Sequence, residues 1–108
     1  MTDFRKVIQD LIQTGKVRVS DQGYDEIAED GLTARELVSG IGEAIPVEEY
    51  PDYVKGPCIL LLQKDRQGKP VHVVWDVPRG YDEPAVLITA YRPDPDRWDE
   101  AFLKRTSS

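Results

Sequence analysis

Apolar residues in the first part of the chain recur every three or four positions, and further on they alternate or run together. Phe4, Val7, Ile8, Leu11 and Ile12 place one apolar stripe on a helix over residues 3–14. Gly15 stops it, because glycine tolerates the left-handed conformation that closes helices. Val17 and Val19 mark a short strand or an extended link. Ser20 and Asp21 cap a second helix, with Tyr24, Ile27 and Ala28 predicted to face inward and Gly31 to end it. Thr33 and Glu36 have the spacing of a capping box, in which each side chain bonds the other residue's amide. The third, short helix that follows buries Leu37, Val38 and Ile41.

The period changes after Glu43. Residues 44–50 read as a strand, and Pro46, which cannot donate to a ladder, assigns it to an edge or a bulge. Residues 58–64 are the strongest strand, and residues 71–77 and 85–91 follow as two more. Turns over 66–69 and 78–84 join them at hairpin length, which makes the meander antiparallel. Asp94 and Pro95 then predict a terminal helix with Trp98, Ala101 and Phe102 on its apolar stripe, and residues 105–108 a frayed tail. The expected fold is α+β: N-terminal helices, an antiparallel β-meander of about four strands, and a C-terminal helix.

Strand alternation gives a candidate site. If residues 66–69 form a four-residue loop, Gln63 pairs with His72, Leu61 with Val74 and Ile59 with Asp76. One face then shows Leu60, Leu62, Val71, Val73 and Trp75 and takes the helices. The other carries Ile59, Leu61, Gln63, His72, Val74 and Asp76. A three-residue loop would pair Leu62 with His72 and mix the two sets, so the apolar pattern favours the even loop. The following hairpin brings Tyr91 and Arg92 beside His72, at the end of the sheet that also holds Gln63, Arg66 and Lys69. An imidazole, a phenol and several cations suit metal-free phosphodiester chemistry. His72 and Tyr91 would move protons, while Gln63, Arg66, Lys69 and Arg92 would hold the substrate. Each residue also has a plain structural reading. His72 lies between valines as a hydrogen-bonded core residue would, Tyr91 packs at a strand end, and turn cations are ordinarily solvated.

Composition narrows the function classes. The 108 residues suit one domain over 1–108 and carry a net charge of −6, which argues against generic nucleic-acid binding. The acidity lies in the helical front: residues 1–54 hold 5 basic and 12 acidic side chains, residues 55–108 hold 9 and 8. Such a front is a solvated surface or a docking face for a basic partner. No apolar run is long enough for a bilayer, and the N-terminus lacks the layout of a secretion signal. With Cys58 the single cysteine, no internal disulfide forms, and the expected location is the cytoplasm. One histidine and one cysteine do not make a zinc site, and no phosphate-binding glycine loop or nucleophile elbow is present, so neither metal nor cofactor is expected.

Several phrases together carry a resemblance: Glu49-Tyr50-Pro51, Lys55-Gly56-Pro57, the run from Gly68 to Trp75, and the run from Ile88 to Asp94 followed by Trp98. With Glu26 to Leu32 before them, they resemble the small bacterial family known as domain of unknown function 4258 over about residues 17–105. The first helix, residues 3–14, reads as an addition to it. The resemblance implies a helix-then-sheet fold similar to the RelE and BrnT toxins, which cleave RNA without a metal, and an antitoxin-like protein as partner. The family's strand histidine and its tyrosine near the end of the last strand correspond to His72 and Tyr91. Many members carry histidine at the start of the second helix, where this chain has Gln22, and RelE-like nucleases tend to be basic.

The expected function is therefore a non-catalytic or partner-binding toxin-like module. The alternative is a metal-independent ribonuclease toxin of a toxin–antitoxin pair, with RNA as its substrate. A homodimer through the Pro46 edge strand is a further expectation.

Overall fold

The computed structural model describes residues 3–54 and 56–104, so the tail expected over 105–108 lies outside the described residues. Helices α1 (Phe4–Gln13), α2 (Asp21–Glu29) and α3 (Ala34–Ser39) and a 3-10 turn (Gly40–Glu43) accompany strands β1 (Val17–Val19), β2 (Ile45–Tyr50), β3 (Cys58–Lys64), β4 (Pro70–Asp76) and β5 (Ala85–Tyr91). The strands form one sheet in the order β1-β5-β4-β3-β2. β2 to β5 are the antiparallel meander. β1 joins it parallel to β5, pairing Val17 with Ala85 and Val19 with Leu87, so this segment is a strand and not a link.

The helix starts follow local chemistry. Asp3 accepts from the Arg5 amide at 3.0 Å. The Thr33–Glu36 capping box forms, with bonds of 3.2 and 2.6 Å. Ser20 caps α2 through the Gly23 amide at 2.9 Å and donates its hydroxyl proton to the Ile88 carbonyl at 3.0 Å. That carbonyl belongs to a bulge, since Val74 pairs with Thr89 while Trp75 pairs with Leu87, leaving Ile88 as the extra residue. α2 lies hard against β5 there: a Cβ at Gly23 would stand 2.8 Å from the Leu87 carbonyl oxygen. Because α2 packs through Gly23 and Ile27, Tyr24 and Ala28 are exposed rather than inward.

The helices cover one face of the sheet. Ile8, Ile12, Ile27, Leu37 and Ile41 meet Ile59, Leu61, Val71, Val73, Trp75 and Leu87 in one core. β2 is the edge strand that Pro46 requires, and its ladder is interrupted by a bulge between Pro46 and Glu48.

Two further expectations are overturned. The β3–β4 hairpin closes through three residues. The Gly68 amide donates to the Asp65 carbonyl at 3.0 Å, the Asp65 amide donates to the Lys69 carbonyl at 2.9 Å, and Gly68 adopts φ 80°. This is a tight turn ended by a left-handed glycine. His72 therefore pairs with Leu62, and Gln63 pairs with Val71. Face segregation misleads here because both sides of β3 are largely sealed, Leu60 and Leu61 alike. In place of the terminal helix, residues 95–104 run as turns and bends around an isolated bridge at Trp98. Asp94 does cap a turn, accepting from the Asp96 amide at 2.9 Å. The chain then reverses at Phe102, a non-glycine residue with φ 61°.

Candidate functional site

The sheet face away from the helices carries the candidate chemistry. Cys58, Leu60, Leu62, His72, Val74 and Asp76 fall on it from β3 and β4, and Thr89 and Tyr91 from β5. His72 and Tyr91 are direct cross-strand partners. The Tyr91 hydroxyl lies 3.3 Å from His72 Nδ1, with the rings edge-to-face at 5.4 Å. His72 Nε2 lies 2.8 Å from the Phe102 carbonyl oxygen, and the Trp98 ring stands edge-on at 4.4 Å. A carbonyl only accepts, so Nε2 carries a proton; in the neutral ring Nδ1 then accepts from Tyr91. The segment after β5 thus seals the imidazole, which is 0% exposed.

Gln63 is not part of this group. It faces the helices, 2% exposed, where its amide nitrogen donates to the Leu37 carbonyl at 2.7 Å. Its amide oxygen accepts from Trp75 Nε1 at 2.8 Å. One side chain thereby satisfies a carbonyl near the end of α3 and an indole within the core.

Arg66 and Lys69 lie exposed in the hairpin turn. Arg92 pairs with Asp65, Nη1 to Oδ2 at 3.0 Å, and its amide donates to Asp30. Asp65 also receives the Gln67 and Lys69 amides on Oδ1, both at 2.8 Å. The Lys69 amide, with Arg92 and the Gln67 amide outweighing a smaller effect of burial, holds the Asp65 carboxyl below the ordinary carboxylate range. The other oxygen pair of this end belongs to Glu36. Burial raises its pKa, but the Arg66 and Thr33 amides and the Arg66 charge outweigh that and leave it lowered. These bonds organise the turn and occupy Arg92.

Further along the same face lies a cleft of about 490 Å³. Cys58, Val74, Asp76 and Thr89 line it from the sheet, Gln22 from α2, and Tyr50 and Tyr53 from the end of β2 and the following loop. Asp76 is 6% exposed. Burial, and then the Asp76 charge, push the Cys58 thiol up, so it stays protonated. The Tyr53 loop is held from outside: Arg79 donates Nη2 to the Tyr53 carbonyl at 2.6 Å and Nε to the Val54 carbonyl at 3.1 Å. A Cβ at Gly56 would lie 2.5 Å from the Val77 carbonyl oxygen, so only glycine lets this loop close on the end of β4.

Sequence reasoning identified the His72–Tyr91 contact but missed Asp65 and the cleft. Asp65 had a legible signal: Asp followed three positions later by Gly68 marks a tight turn. The cleft had none, because its walls come from β2, β3, β4, β5 and α2 together. Among the described residues, no group of three or more His, Cys, Asp or Glu side chains could hold a metal ion.

No curated protein and no solved structure matches the chain. A family match does span residues 5–92, taking in most of α1 as well as the strands that carry His72 and the cleft. The chain belongs to the family described as Domain of unknown function (DUF4258).

Proposed function

We propose that this protein is a non-catalytic, partner-binding module of toxin-like fold, related in architecture to the RelE and BrnT toxins. The enclosure of His72 carries the reading. A proton shuttle needs a ring nitrogen within reach of substrate. This imidazole is 0% exposed, with one nitrogen on Tyr91 and the other on the Phe102 carbonyl. Arg92, a candidate phosphate ligand, is engaged by Asp65. The net charge of −6 further disfavours RNA and favours a basic protein partner, of the antitoxin kind.

The 3.3 Å approach of His72 and Tyr91 favours a second reading, a metal-independent ribonuclease toxin. Inducing the wild type and Tyr91→Phe in growing cells separates the two, with growth and total RNA integrity as readouts. The binding reading expects intact RNA and equal growth. RNA cleavage by the wild type that Tyr91→Phe abolishes would replace it with the nuclease.

A further inference from the structure

We propose that the open edge of β1, with the groove beside it, takes an extended acidic segment of a protein partner as a sixth strand of the sheet. The proposal deepens the partner-binding reading and rests on it for its biological role. β1 is the terminal strand, beside β5. The Lys16 carbonyl accepts from the Ala85 amide at 2.9 Å, and the Ser20 amide donates to the Leu87 carbonyl at 3.0 Å. Backbone groups alternate in direction along a strand. Arg18 therefore also faces β5, while Val17 and Val19 turn their N–H and C=O groups to the open edge. The other edge of the sheet is guarded: β2 carries Pro46, Glu48 and Glu49, and a bulge interrupts it. β1 has no proline, no bulge and no acidic residue.

Between β1, α2 and α3 lies a groove of about 610 Å³. Val17, Val19 and Val38 give it apolar walls, and Tyr24, 56% exposed, stands at its side. Arg18 and Arg35 line it too, and among the described residues no aspartate or glutamate does. Both arginines are exposed, and neither is in an ion pair among the described residues. Residues 1–54 hold 5 basic side chains against 12 acidic ones, and two of the five meet here. The net charge of −6 selects a partner that is basic as a whole; this groove is the positive exception and reads an acidic stretch within it. An added strand sends alternate side chains to the two faces of the sheet. One set lies over the groove, against the valines and near Arg35. The other lies on the opposite face, level with Arg18. Cross-strand pairs of opposite charge stabilise such a ladder and like charges weaken it. A second copy of β1 centred on Arg18 would set arginine beside arginine. β1 offers only three residues, so charge and the groove, more than ladder length, decide which segment binds.

The test uses the full ¹⁵N-labelled chain and an acetylated, amidated Val-Glu-Val-Glu-Val-Glu peptide at constant ionic strength. The peptide should give saturable amide shifts at Val17, Arg18 and Val19. It should also slow hydrogen exchange at the Val17 and Val19 amides. Replacing its glutamates by glutamine should weaken binding several-fold, and replacing them by lysine should abolish it. Arg18→Glu should weaken binding about ten-fold, because an attraction across the ladder becomes a repulsion. Arg35→Glu should act in the same direction, and either variant keeps the test valid if the other fails to fold. Glutarate binding as tight as the peptide's would assign the groove to a small dicarboxylate and overturn the proposal. So would sedimentation showing a dimer in which the Val17 and Val19 amides are already protected, which gives the edge to a second copy. Absence of saturable shifts, unchanged exchange at Val17 and Val19, or unchanged affinity in the folded variants would overturn it as well. RNA cleavage in cells would instead remove the partner-binding reading and leave peptide binding unaffected.

Discussion

His72 Nε2 and the Phe102 carbonyl oxygen lie 2.8 Å apart, joining the central strand of the sheet to the segment that covers its open face. Phe102 reaches this position with a left-handed backbone at φ 61°, a conformation that costs a non-glycine residue on the order of 1 kcal/mol. The bond to His72, the Trp98 ring on the imidazole, and the Leu103 amide bound to Asp99 at 3.0 Å together offset that cost. The residue most suggestive of catalysis is thus also the latch of a strap.

His72→Ala should release the strap and destabilise the protein by roughly 2–4 kcal/mol, through a cavity and an unpaired carbonyl. Urea unfolding gives the loss. Hydrogen exchange over residues 98–104 should accelerate more than exchange in α1. Unchanged protection in the strap would mean that His72 does not hold it.

Gln63 and Trp75 form a second testable pair. Gln63→Leu leaves the Leu37 carbonyl and the indole N–H unpaired, and should cost about 2–4 kcal/mol. Once Trp75→Phe has removed the indole N–H, adding Gln63→Leu should cost less, with a coupling of about 1 kcal/mol in a double-mutant cycle. Strictly additive losses would show that the 2.8 Å bond adds nothing to stability.

Gly56 combines φ 140° with a backbone oxygen where its side chain would stand. Gly56→Ala should therefore cost on the order of 3 kcal/mol, from strain and overpacking together. A Cβ at Gly42 would meet nothing within 4 Å, so Gly42→Ala should stay within about 0.5 kcal/mol. Equal urea midpoints for the two variants would contradict the close approach.

Acid should unfold the protein partly through Asp65 and Glu36. Both carboxyls have folded pKa values below their ordinary ones. Their contribution is therefore complete above the unfolded value of about 4 and is lost as pH falls through the lower folded values. Asp65→Asn should be less stable than the wild type at pH 7, and the gap should narrow as the pH approaches 3. A constant gap across that range would rule out the carboxylate charge as the source.

The sequence by itself determined the elements whose causes are local. The α1 stripe, the Ser20 cap, the Thr33–Glu36 box and the Pro46 edge strand each follow from residues a few positions apart. The His72–Tyr91 neighbourhood was legible too, because a short hairpin constrains it. Only the tertiary structure decided which face Gln63 occupies, whether Val17–Val19 pairs, what the chain does after Asp94, and that a cleft forms over Asp76. These depend on groups distant in the chain: Leu37 for Gln63, Ala85 for Val17, His72 for Phe102, Gln22 and Tyr53 for the cleft. Strand periodicity reports that alternate residues differ in environment. It does not report which side the helices cover when residues on both faces of the central strands, such as Leu60 and Leu61, are buried.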